Sequence, residues 1–273
     1  MDLRAAGPGW LFCPADRPER FAKAAAAADV VILDLEDGVA KADKPAARKA
    51  LQETPLDPER TVVRVNAADT GELPLDLDAL AGTRYTTVML SKTESAAQVD
   101  ALAPRDVIAL IETPRAAVFA AEIAAAERTV ALMWGAEDLV ATLGGSSSRF
   151  ADGTYRDVAR HVRSTALLAA SAFGRIALDA VHLDIRDLDG LRAEADDAVA
   201  LGFNGTVCIH PSQIPVVREA YRPSDDRLDW ARRVLEAAKT ERGVFAFEGQ
   251  MVDSPVLKHA EAMLARAAET ASS

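Results

Sequence analysis

Short apolar, β-branched runs alternate with alanine-rich amphipathic segments along almost the whole chain. Runs that are apolar on both faces are typical of parallel strands covered by helices. Eight such runs predict strands at residues 9–14, 30–37, 61–67, 86–92, 106–113, 130–138, 180–185 and 205–211. The segments between them predict helices at residues 18–28, 44–52, 95–103, 115–127, 155–174 and 190–202.

Eight β–α units most economically close into a (β/α)8 barrel, and a chain of 273 residues is long enough for one. A doubly wound open sheet is the alternative, although no Gly-rich dinucleotide turn follows the first predicted strand. We therefore predict an α/β protein with a TIM barrel over residues 1–222 and a C-terminal helical extension over residues 223–273. The extension either packs on the barrel or reaches a neighbouring subunit.

The predicted extension has its own pattern of elements. Two helices are interrupted at residues 222–224, and a short extended piece is followed by a final helix that begins at residues 254–255. A minimal barrel needs none of these elements. Their presence predicts a structural or assembly role for the end of the chain.

Polar residues, including at least one charged or titratable group for each strand, lie at the ends of all eight predicted strands, at the end of a barrel where active sites are built. They are Asp16, Arg17, Glu36, Asp37, Arg64, Asn66, Lys92, Glu112, Glu137, Asp138, Asp184 and His210. This uniformity favours one shared site over the ordinary polarity of loops. For His210, a hydrogen-bonded structural role is favoured over a catalytic one, and the Gly- and Ser-rich residues 144–148 predict a mobile loop over the barrel mouth.

Two carboxylates predict a metal site. Glu112 and Asp138 end the fifth and sixth predicted strands, and neighbouring strands lie about 5 Å apart. Two carboxylates that leave the remaining positions to water and substrate are typical of Mg²⁺, whereas zinc prefers His and Cys. Pairing with Arg or Lys is the alternative. Glu36 and Asp37 are expected to orient metal-bound waters or basic side chains behind this pair, and Asp34 is expected to lie deeper in a structural role.

Residues of the third and sixth strand ends are candidates for binding an anion. The guanidinium of Arg64 suits a substrate carboxylate, or else forms a structural salt bridge with Glu36 or Asp37. Gly135 and Ala136 offer backbone N–H groups, and their small side chains permit close approach by an anion.

Composition and charge exclude several classes of protein. A formal net charge of -11 argues against a nucleic-acid partner but leaves an anionic small ligand open. The two cysteines, Cys13 and Cys208, cannot form a disulfide framework. No apolar run approaches the roughly 18 residues of a membrane span, and residues 1–14 lack the pattern of a signal peptide. These features predict a cytoplasmic protein without a membrane partner.

Seven segments in a fixed order resemble the citrate lyase beta subunit family and its stand-alone relatives, the malyl-CoA and citramalyl-CoA lyases. They are FCPADRPERFAKA, VILDLEDGV, VRVN, IET, WGAEDL, CIHPSQI and FEGQMVDSPVLKHA, and the resemblance extends over residues 8–265. The resemblance implies a (β/α)8 barrel, usually a homotrimer, that binds Mg²⁺ and cleaves or forms β-hydroxyacyl-CoA thioesters. The implied enzyme class is a carbon–carbon lyase whose ligands are a CoA thioester and a keto acid.

The resemblance also implies roles for individual residues. Glu112 and Asp138 match the metal ligands, and Arg64 matches the arginine that holds the carboxylate of the keto-acid fragment. Gly135 and Ala136 match the backbone amides that bind the same carboxylate. Asp253 matches the acid/base carboxylate that the adjacent subunit contributes. Arg17 and Lys23 match the basic residues near the CoA phosphates. Ser91 replaces the proline of the usual MLPK segment, which predicts a looser turn before Lys92.

Three activities are consistent with the resemblance. The favoured one is a stand-alone lyase for malyl-, citramalyl- or hydroxymethylglutaryl-type CoA thioesters, because the C-terminal extension would complete the site within a homo-oligomer. The second is a citrate lyase beta subunit that cleaves a carrier-bound citryl thioester to oxaloacetate and an acetyl thioester. The third is a malyl-CoA thioesterase. The candidate lyase substrates differ by a methyl or a methylene, which is worth only about 1–3 kcal/mol of discrimination.

Overall fold

Eight parallel strands close into a barrel in chain order, with the last strand paired to the first. The computed structural model describes residues 3–241 and 243–271, so residues 1–2, 242 and 272–273 of the two predicted domains lie outside it. The strands are β1 (Gly9–Pro14), β2 (Val30–Asp34), β3 (Thr61–Val65), β4 (Thr87–Leu90), β5 (Asp106–Ile111), β6 (Thr129–Trp134), β7 (Ile176–Asp179) and β8 (Gly205–Cys208). The predicted TIM barrel is confirmed, and the open sheet is excluded.

Helices lie in all six segments where the pattern predicted them, one of which is divided, and two further helices over residues 72–81 and 136–142 were not predicted. The predicted helix over residues 115–127 is two short helices that meet at Phe119. The barrel helices are α1 (Phe21–Ala27), α2 (Lys44–Glu53), α3 (Glu72–Ala81), α4 (Ala96–Asp100), α5 (Pro114–Val118), α6 (Ala120–Ala125), α7 (Ala136–Thr142), α8 (Asp157–Ala172), α9 (Leu188–Leu201) and α10 (Ile214–Tyr221).

The predicted position of the seventh strand is wrong by four residues at its start. The strand was expected over residues 180–185, whereas β7 spans Ile176–Asp179 and all four of its residues are buried. Leu183 and Ile185 instead lie in the following loop, where they are 49% and 39% exposed. Their apolar character mimics a strand in the sequence, so the residue at the true strand end is Asp179 rather than Asp184.

Alternating residues of the strands fill the inside of the barrel. Ile32, Val62 and Leu110 belong to an inner cluster that also contains Trp10 and Met89. Because side chains alternate across a strand, the residue two positions further along the chain from each of Ile32, Val62 and Leu110 is expected on the same inner side of the barrel. Those residues are Asp34, Arg64 and Glu112, so the fold places charged groups on top of an apolar plug.

The C-terminal extension contains the predicted elements. They are α11 (Asp225–Ala238), an antiparallel hairpin of β9 (Phe245–Phe247) and β10 (Gln250–Val252), and α12 (Ser254–Ala271). Ala231, Val234, Val252 and Ala260 form a small apolar cluster of their own. Its reach to a neighbouring subunit stays a prediction. No helix within the described residues is long and apolar enough to cross a membrane.

Candidate active site

A two-pronged ion pair joins the ends of β2 and β3. Asp34 and Arg64 are partners in the strand register, and Arg64 donates from Nε and Nη2 to the two Asp34 oxygens at 2.7 and 2.6 Å. Its third nitrogen, Nη1, lies 3.3 Å from Glu36 Oε2. The guanidinium also stacks over the Phe12 ring, 4.5 Å from the ring centre. The structural role expected for Asp34 is confirmed, because Asp34 binds two of the three guanidinium nitrogens of Arg64.

Asp34 also shapes the loop that follows β2. Its two oxygens accept hydrogen bonds from the N–H groups of Glu36 and Gly38, both at 2.9 Å. A Cβ on Gly38 would lie 2.2 Å from the Asp34 carboxylate, so a side chain there would break this turn. The Asp34 carboxylate therefore fixes the backbone of the loop after β2. The side chains of Glu36 and Asp37 contact the cations of Arg64 and Lys92 instead.

The ammonium group of Lys92 lies among four carboxylates. Its Nζ atom is 2.5 Å from Glu36 Oε1, 3.4 Å from Asp37 Oδ2, 3.3 Å from Asp138 Oδ1 and 4.0 Å from Glu112 Oε1. Burial disfavours the charged lysine, but Glu112, Glu36 and Asp138 outweigh it and raise the pKa of Lys92. The two predicted metal ligands thus converge on one positive charge.

Glu112 is a deeply buried carboxylate of this cluster, and its distance to the Lys92 ammonium is 4.0 Å, longer than a direct hydrogen bond. Only 4% of its side chain is exposed, and Oε1 accepts a hydrogen bond from the Lys92 N–H at 2.8 Å. Burial raises its pKa to about 8, despite the nearby charge of Lys92. A buried carboxylate of this kind is stabilised by a closely placed cation. Burial likewise raises the pKa of Glu36.

Gly135 fits against Glu112 because it has no side chain. A Cβ at this position would lie 2.9 Å from Glu112 Oε2 and 3.0 Å from Glu112 Cβ. The N–H of Gly135 donates to the Ile111 carbonyl at 3.1 Å. Its contribution is therefore space for the carboxylate, rather than the free N–H donor expected from the sequence. Ala136 begins α7, where the first N–H groups of a helix have no acceptor within the helix.

The loop between α7 and α8 is fastened to the site rather than loose. Ser148 is buried, and its hydroxyl donates to Glu137 Oε1 at 2.6 Å. Glu137 therefore faces this loop, while its neighbour Asp138 faces Lys92. The mobile loop predicted for residues 144–148 is thus tethered at its C-terminal end.

The residues present fit a magnesium ion. Within residues 3–241 and 243–271, no group of three or more His, Cys, Asp or Glu side chains is arranged to hold a metal. Glu112 and Asp138 nevertheless share one cation, and Mg²⁺ is usually held by one or two carboxylates with waters and substrate. The donor set contains only oxygen, which argues against zinc.

Ser91 makes the turn before Lys92 firm. Its hydroxyl donates to the Val65 carbonyl at 2.9 Å, and the side chain is fully buried. This hydrogen bond ties the end of β4 to β3, a tie that proline cannot make. Lys92 itself adopts a φ of 48°, in the left-handed region, and its N–H is held by Glu112. The looser turn expected from the replacement of proline is wrong.

The two basic residues predicted near CoA lie on the rim. Arg17, in the β1–α1 loop, and Lys23, in α1, are both exposed. Arg17 Nε is 3.9 Å from Asp16 Oδ1, an oxygen that is buried and has no hydrogen-bond partner among the described residues. The rim side chains are thus available to a ligand, and their role stays a prediction.

Asp253 lies in the C-terminal extension, directly before α12. It is half-buried, and its Oδ1 accepts a hydrogen bond from the Val256 N–H at 3.3 Å. Among the described residues, no hydrogen bond or ion pair links it to the Lys92 cluster. The structure therefore brings together the predicted residues of the barrel mouth, and leaves Asp253 apart from them within one chain.

Three other residues predicted at strand ends have local structural roles. Asn66 is buried and donates to Asp76, and its carbonyl oxygen accepts from the Lys44 ammonium at 2.7 Å. Asp184 accepts from the Arg186 N–H within the loop after β7. His210 caps the following short helix through its ring nitrogen and Ser212, as the favoured structural reading predicts.

Sequence reasoning missed a second charged network at the ends of β6 and β7. Asp179 accepts from Trp134 Nε1 at 2.6 Å and from Arg163 Nη2 at 2.7 Å. Nearby, His182 Nδ1 lies 3.0 Å from Glu194, which also pairs with Arg149. The hydrogen bond to Glu194 raises the pKa of His182. The misplaced seventh strand hid this network, and the polar residue that ends Ile176–Asp179 is the signal that could have found it.

The sequence matches known proteins over nearly its whole length. The model of the HpcH/HpaI aldolase/citrate lyase family matches residues 9–211. A citrate lyase subunit beta-like protein of Mycobacterium tuberculosis is 78% identical over 272 residues, which is 100% of both chains. The human mitochondrial citramalyl-CoA lyase is 32% identical and covers 85% of this chain and 77% of its own. A (3S)-malyl-CoA thioesterase of Cereibacter sphaeroides is 35% identical over 94% of this chain and 93% of its own.

The fold also matches solved structures. The crystal structure of protein CitE from Mycobacterium tuberculosis, in complex with magnesium, acetoacetate and coenzyme A, superimposes with a TM-score of 0.95. That protein is 79% identical in sequence, and the match covers 97% of this chain and 100% of the other.

Proposed function

Because this chain belongs to the HpcH/HpaI aldolase/citrate lyase family, we propose that it is a Mg²⁺-dependent lyase for β-hydroxyacyl-CoA thioesters. The reaction breaks the Cα–Cβ bond of a malyl-, citramalyl- or hydroxymethylglutaryl-type thioester. Its products are a keto acid or a related fragment and an acyl-CoA, and it runs in either direction. The convergence of Glu112 and Asp138 on one positive charge beside Arg64 is the observation that carries this proposal.

Glu112 and Asp138 would hold the metal ion. Mg²⁺ bound there supplies Lewis-acid stabilisation to the oxygen that becomes the keto group. Glu36 and Asp37 contact Lys92, so that these further acidic side chains balance the positive charges of the site. The magnesium, acetoacetate and coenzyme A complex of the CitE protein, at 79% identity, supports the same ligands for this chain.

Arg64 would bind the carboxylate of the keto-acid fragment. Two of its nitrogens are held by Asp34, which fixes the plane of the guanidinium, and Nη1 presents its N–H groups on the Glu36 side. A substrate carboxylate bound there is oriented before the Cα–Cβ bond breaks. Such positioning of the reacting groups increases the reaction rate substantially. The Ala136 N–H, in the first turn of α7, is the proposed backbone donor to the same carboxylate.

Asp253 would act as the acid or base at the carbon atom next to the thioester carbonyl. In the cleavage direction the β-hydroxyl gives its proton to water, the Cα–Cβ electron pair passes to the thioester enolate, and Asp253 in its protonated form donates a proton to the enolate carbon. In the synthetic direction the same carboxylate removes a proton from the acyl-CoA methyl group. Since Asp253 has no described contact with the Lys92 cluster of its own chain, we propose that it serves the barrel of a neighbouring subunit, within a homotrimer.

The thioester end would lie along the β1–α1 rim. Arg17 and Lys23 are exposed there, and a few local cations can attract a phosphate group even on a chain of net charge -11. This assignment joins the keto-acid end at the barrel centre to the nucleotide end at its edge.

A panel of thioesters tests the proposal. Purified protein with Mg²⁺ is incubated with malyl-, citramalyl- and hydroxymethylglutaryl-CoA, while keto acid or ketone product, acyl-CoA and free CoA are measured together. A lyase forms keto acid and acyl-CoA in equal amounts without free CoA. Inactivity toward every thioester, with or without an acyl-carrier protein, would contradict an enzymatic role.

Two alternative activities give different products in the same assay. A malyl-CoA thioesterase, supported by the relative from Cereibacter sphaeroides, would release free CoA and malate without glyoxylate. A citrate lyase beta subunit would be inactive on CoA thioesters and would release oxaloacetate from a carrier-bound citryl group. A stable complex with an acyl-carrier protein in a pull-down would favour that second alternative.

Glu137 and Asp138 are neighbours on α7, so Glu137 supplies a matched control for the loss of a carboxylate from the proposed metal site. Asp138→Asn and Glu112→Gln are expected to abolish measurable Mg²⁺ binding in calorimetry. Glu137→Gln should retain it, because Glu137 points to Ser148 rather than to the Lys92 cluster. Equal effects of Asp138→Asn and Glu137→Gln would argue against a specific site.

A further inference from the structure

The position of Lys92 suggests a function that the proposed mechanism does not use. Its Nζ atom lies 3.3 Å from Asp138 and 4.0 Å from Glu112, the two proposed metal ligands, and 2.5 Å from Glu36. A divalent cation held by Glu112 and Asp138 would lie within a few ångströms of this ammonium. Two cations so close repel each other strongly in a partly buried site.

The backbone fixes the base of the Lys92 side chain. Lys92 adopts a φ of 48°, an uncommon conformation for a residue with a side chain. Its N–H donates to Glu112, and the preceding Ser91 is anchored to Val65 on β3. The side chain is therefore aimed at the carboxylates by the turn, and is not a surface lysine that happens to reach them.

The carboxylates around Lys92 form two groups. Glu36 and Asp37 follow β2, whereas Glu112 and Asp138 follow β5 and β6. The closest contact is with Glu36, and that pair can persist while the ammonium moves away from the other two. The geometry thus offers a second place for the positive charge when another cation takes the first.

We propose that Lys92 is an intrinsic competitor for the divalent cation. Its ammonium neutralises Glu112 and Asp138 when no metal is bound, and Mg²⁺ binds as the ammonium withdraws onto Glu36 and Asp37. This inference rests on the proposed function only in its assignment of Glu112 and Asp138 as ligands. Its consequence is that Lys92 stabilises the metal-free protein and weakens the affinity of the site for Mg²⁺.

Calorimetric titration with Mg²⁺ alone tests the competition. Lys92→Met removes the charge and keeps an unbranched side chain, and it should bind Mg²⁺ roughly tenfold or more tightly than the wild type. Lys92→Arg keeps the charge and should bind no more tightly than the wild type. Lys49→Met is the matched control, because Lys49 is an exposed lysine of α2 that pairs only with Glu53 in the described residues.

Thermal unfolding gives a second readout that does not depend on activity. Without metal, Lys92→Met should melt at a lower temperature than the wild type, since the acidic groups lose their counter-charge. Addition of Mg²⁺ should raise its melting temperature more than that of the wild type. A variant that folds only in the presence of Mg²⁺ would also support the competition.

The outcomes separate this inference from the proposed function. Mg²⁺ binding to the wild type with equal or weaker binding to Lys92→Met overturns the competition and leaves the metal site standing. Equal tightening in Lys92→Met and Lys92→Arg overturns it too, because charge would then be irrelevant. No binding of Mg²⁺ to any of the proteins removes the proposed metal site, and the competition with it.

Discussion

Asp34 and Arg64 occupy paired positions on neighbouring strands and form a two-pronged ion pair at the top of the barrel interior. Only 3% of the Asp34 side chain and 12% of the Arg64 side chain are exposed. Burial disfavours a charged guanidinium, but Asp34 and Glu36 outweigh it and raise the pKa of Arg64. The arginine therefore remains charged and fixed in one orientation.

We expect Asp34→Asn to weaken both stability and keto-acid binding. Removal of one partner of a buried ion pair costs about 3–5 kcal/mol of unfolding free energy. The loss of a fixed guanidinium should also weaken pyruvate binding roughly tenfold or more in calorimetry with Mg²⁺. Asp179→Asn is the control, because Asp179, at the end of β7, forms a similar pair with Arg163 of α8. It should lose comparable stability while pyruvate affinity is retained. A parallel loss of pyruvate affinity in both variants would contradict a specific role for Arg64.

Gly135→Ala should lower the affinity for Mg²⁺ without unfolding the protein. The φ of Gly135 is -132°, which alanine adopts readily, so the added methyl group acts only through its contact with Glu112. Glu112 must shift to accommodate it. Gly71→Ala provides the comparison, because a Cβ at Gly71 meets nothing within 4 Å. Calorimetry of the two variants should show a weaker Mg²⁺ complex for Gly135→Ala alone, and unchanged binding would mean that Glu112 is not confined there.

Asp253→Asn should stop turnover while Mg²⁺ and keto-acid binding are retained. If Asp253 acts in a neighbouring subunit, chains carrying Asp253→Asn and chains carrying Glu112→Gln should complement each other when co-expressed. Random assembly in equal amounts would give about a quarter of the sites an intact Glu112 and an intact Asp253. Activity of the mixed assembly, measured against each variant alone, tests this. Full inactivity of the mixture would place both groups in one chain.

The His182–Glu194 pair predicts a pH dependence of stability. The hydrogen bond to Glu194 raises the pKa of His182 above its ordinary 6.5, against the opposing effects of burial and of the Arg149 charge, and Asp187 makes a smaller contribution in the same direction as Glu194. A raised pKa in the folded state gives stabilisation that is complete below pH 6.5 and is lost as the pH rises through the folded pKa. The stability difference between the wild type and His182→Gln should therefore shrink as the pH rises from about 6 to about 8.

Exposed His161 supplies the control for this pH dependence. The variant His161→Gln should follow the wild type at every pH in thermal or denaturant unfolding. A wild-type advantage over His182→Gln that stays constant or grows with pH would contradict the assignment.

Several parts of the fold could be read from the sequence because they depend on local periodicity. The runs at residues 9–14 and 30–37 are apolar at their starts, and this predicted a parallel strand with the bounds of β1 and a second one that begins where β2 begins but ends three residues too late. Periodicity failed where a loop imitates a strand, as in residues 180–185, because exposure of Leu183 and Ile185 depends on tertiary packing. Glu112, Asp138 and Arg64 were found through their positions after strands, since the fold brings such positions together.

What the sequence by itself determined is the barrel, its order of strands and the acidic end at which polar residues gather. Only the tertiary structure decided how these charges pair. In the tertiary structure the Arg64 guanidinium pairs with Asp34, and the Gly135 N–H donates to the Ile111 carbonyl. The Lys92 ammonium lies between two pairs of carboxylates. The physical reason is that strand patterns arise from nearest neighbours in the chain, whereas an ion pair depends on distances of a few ångströms between residues from different strands.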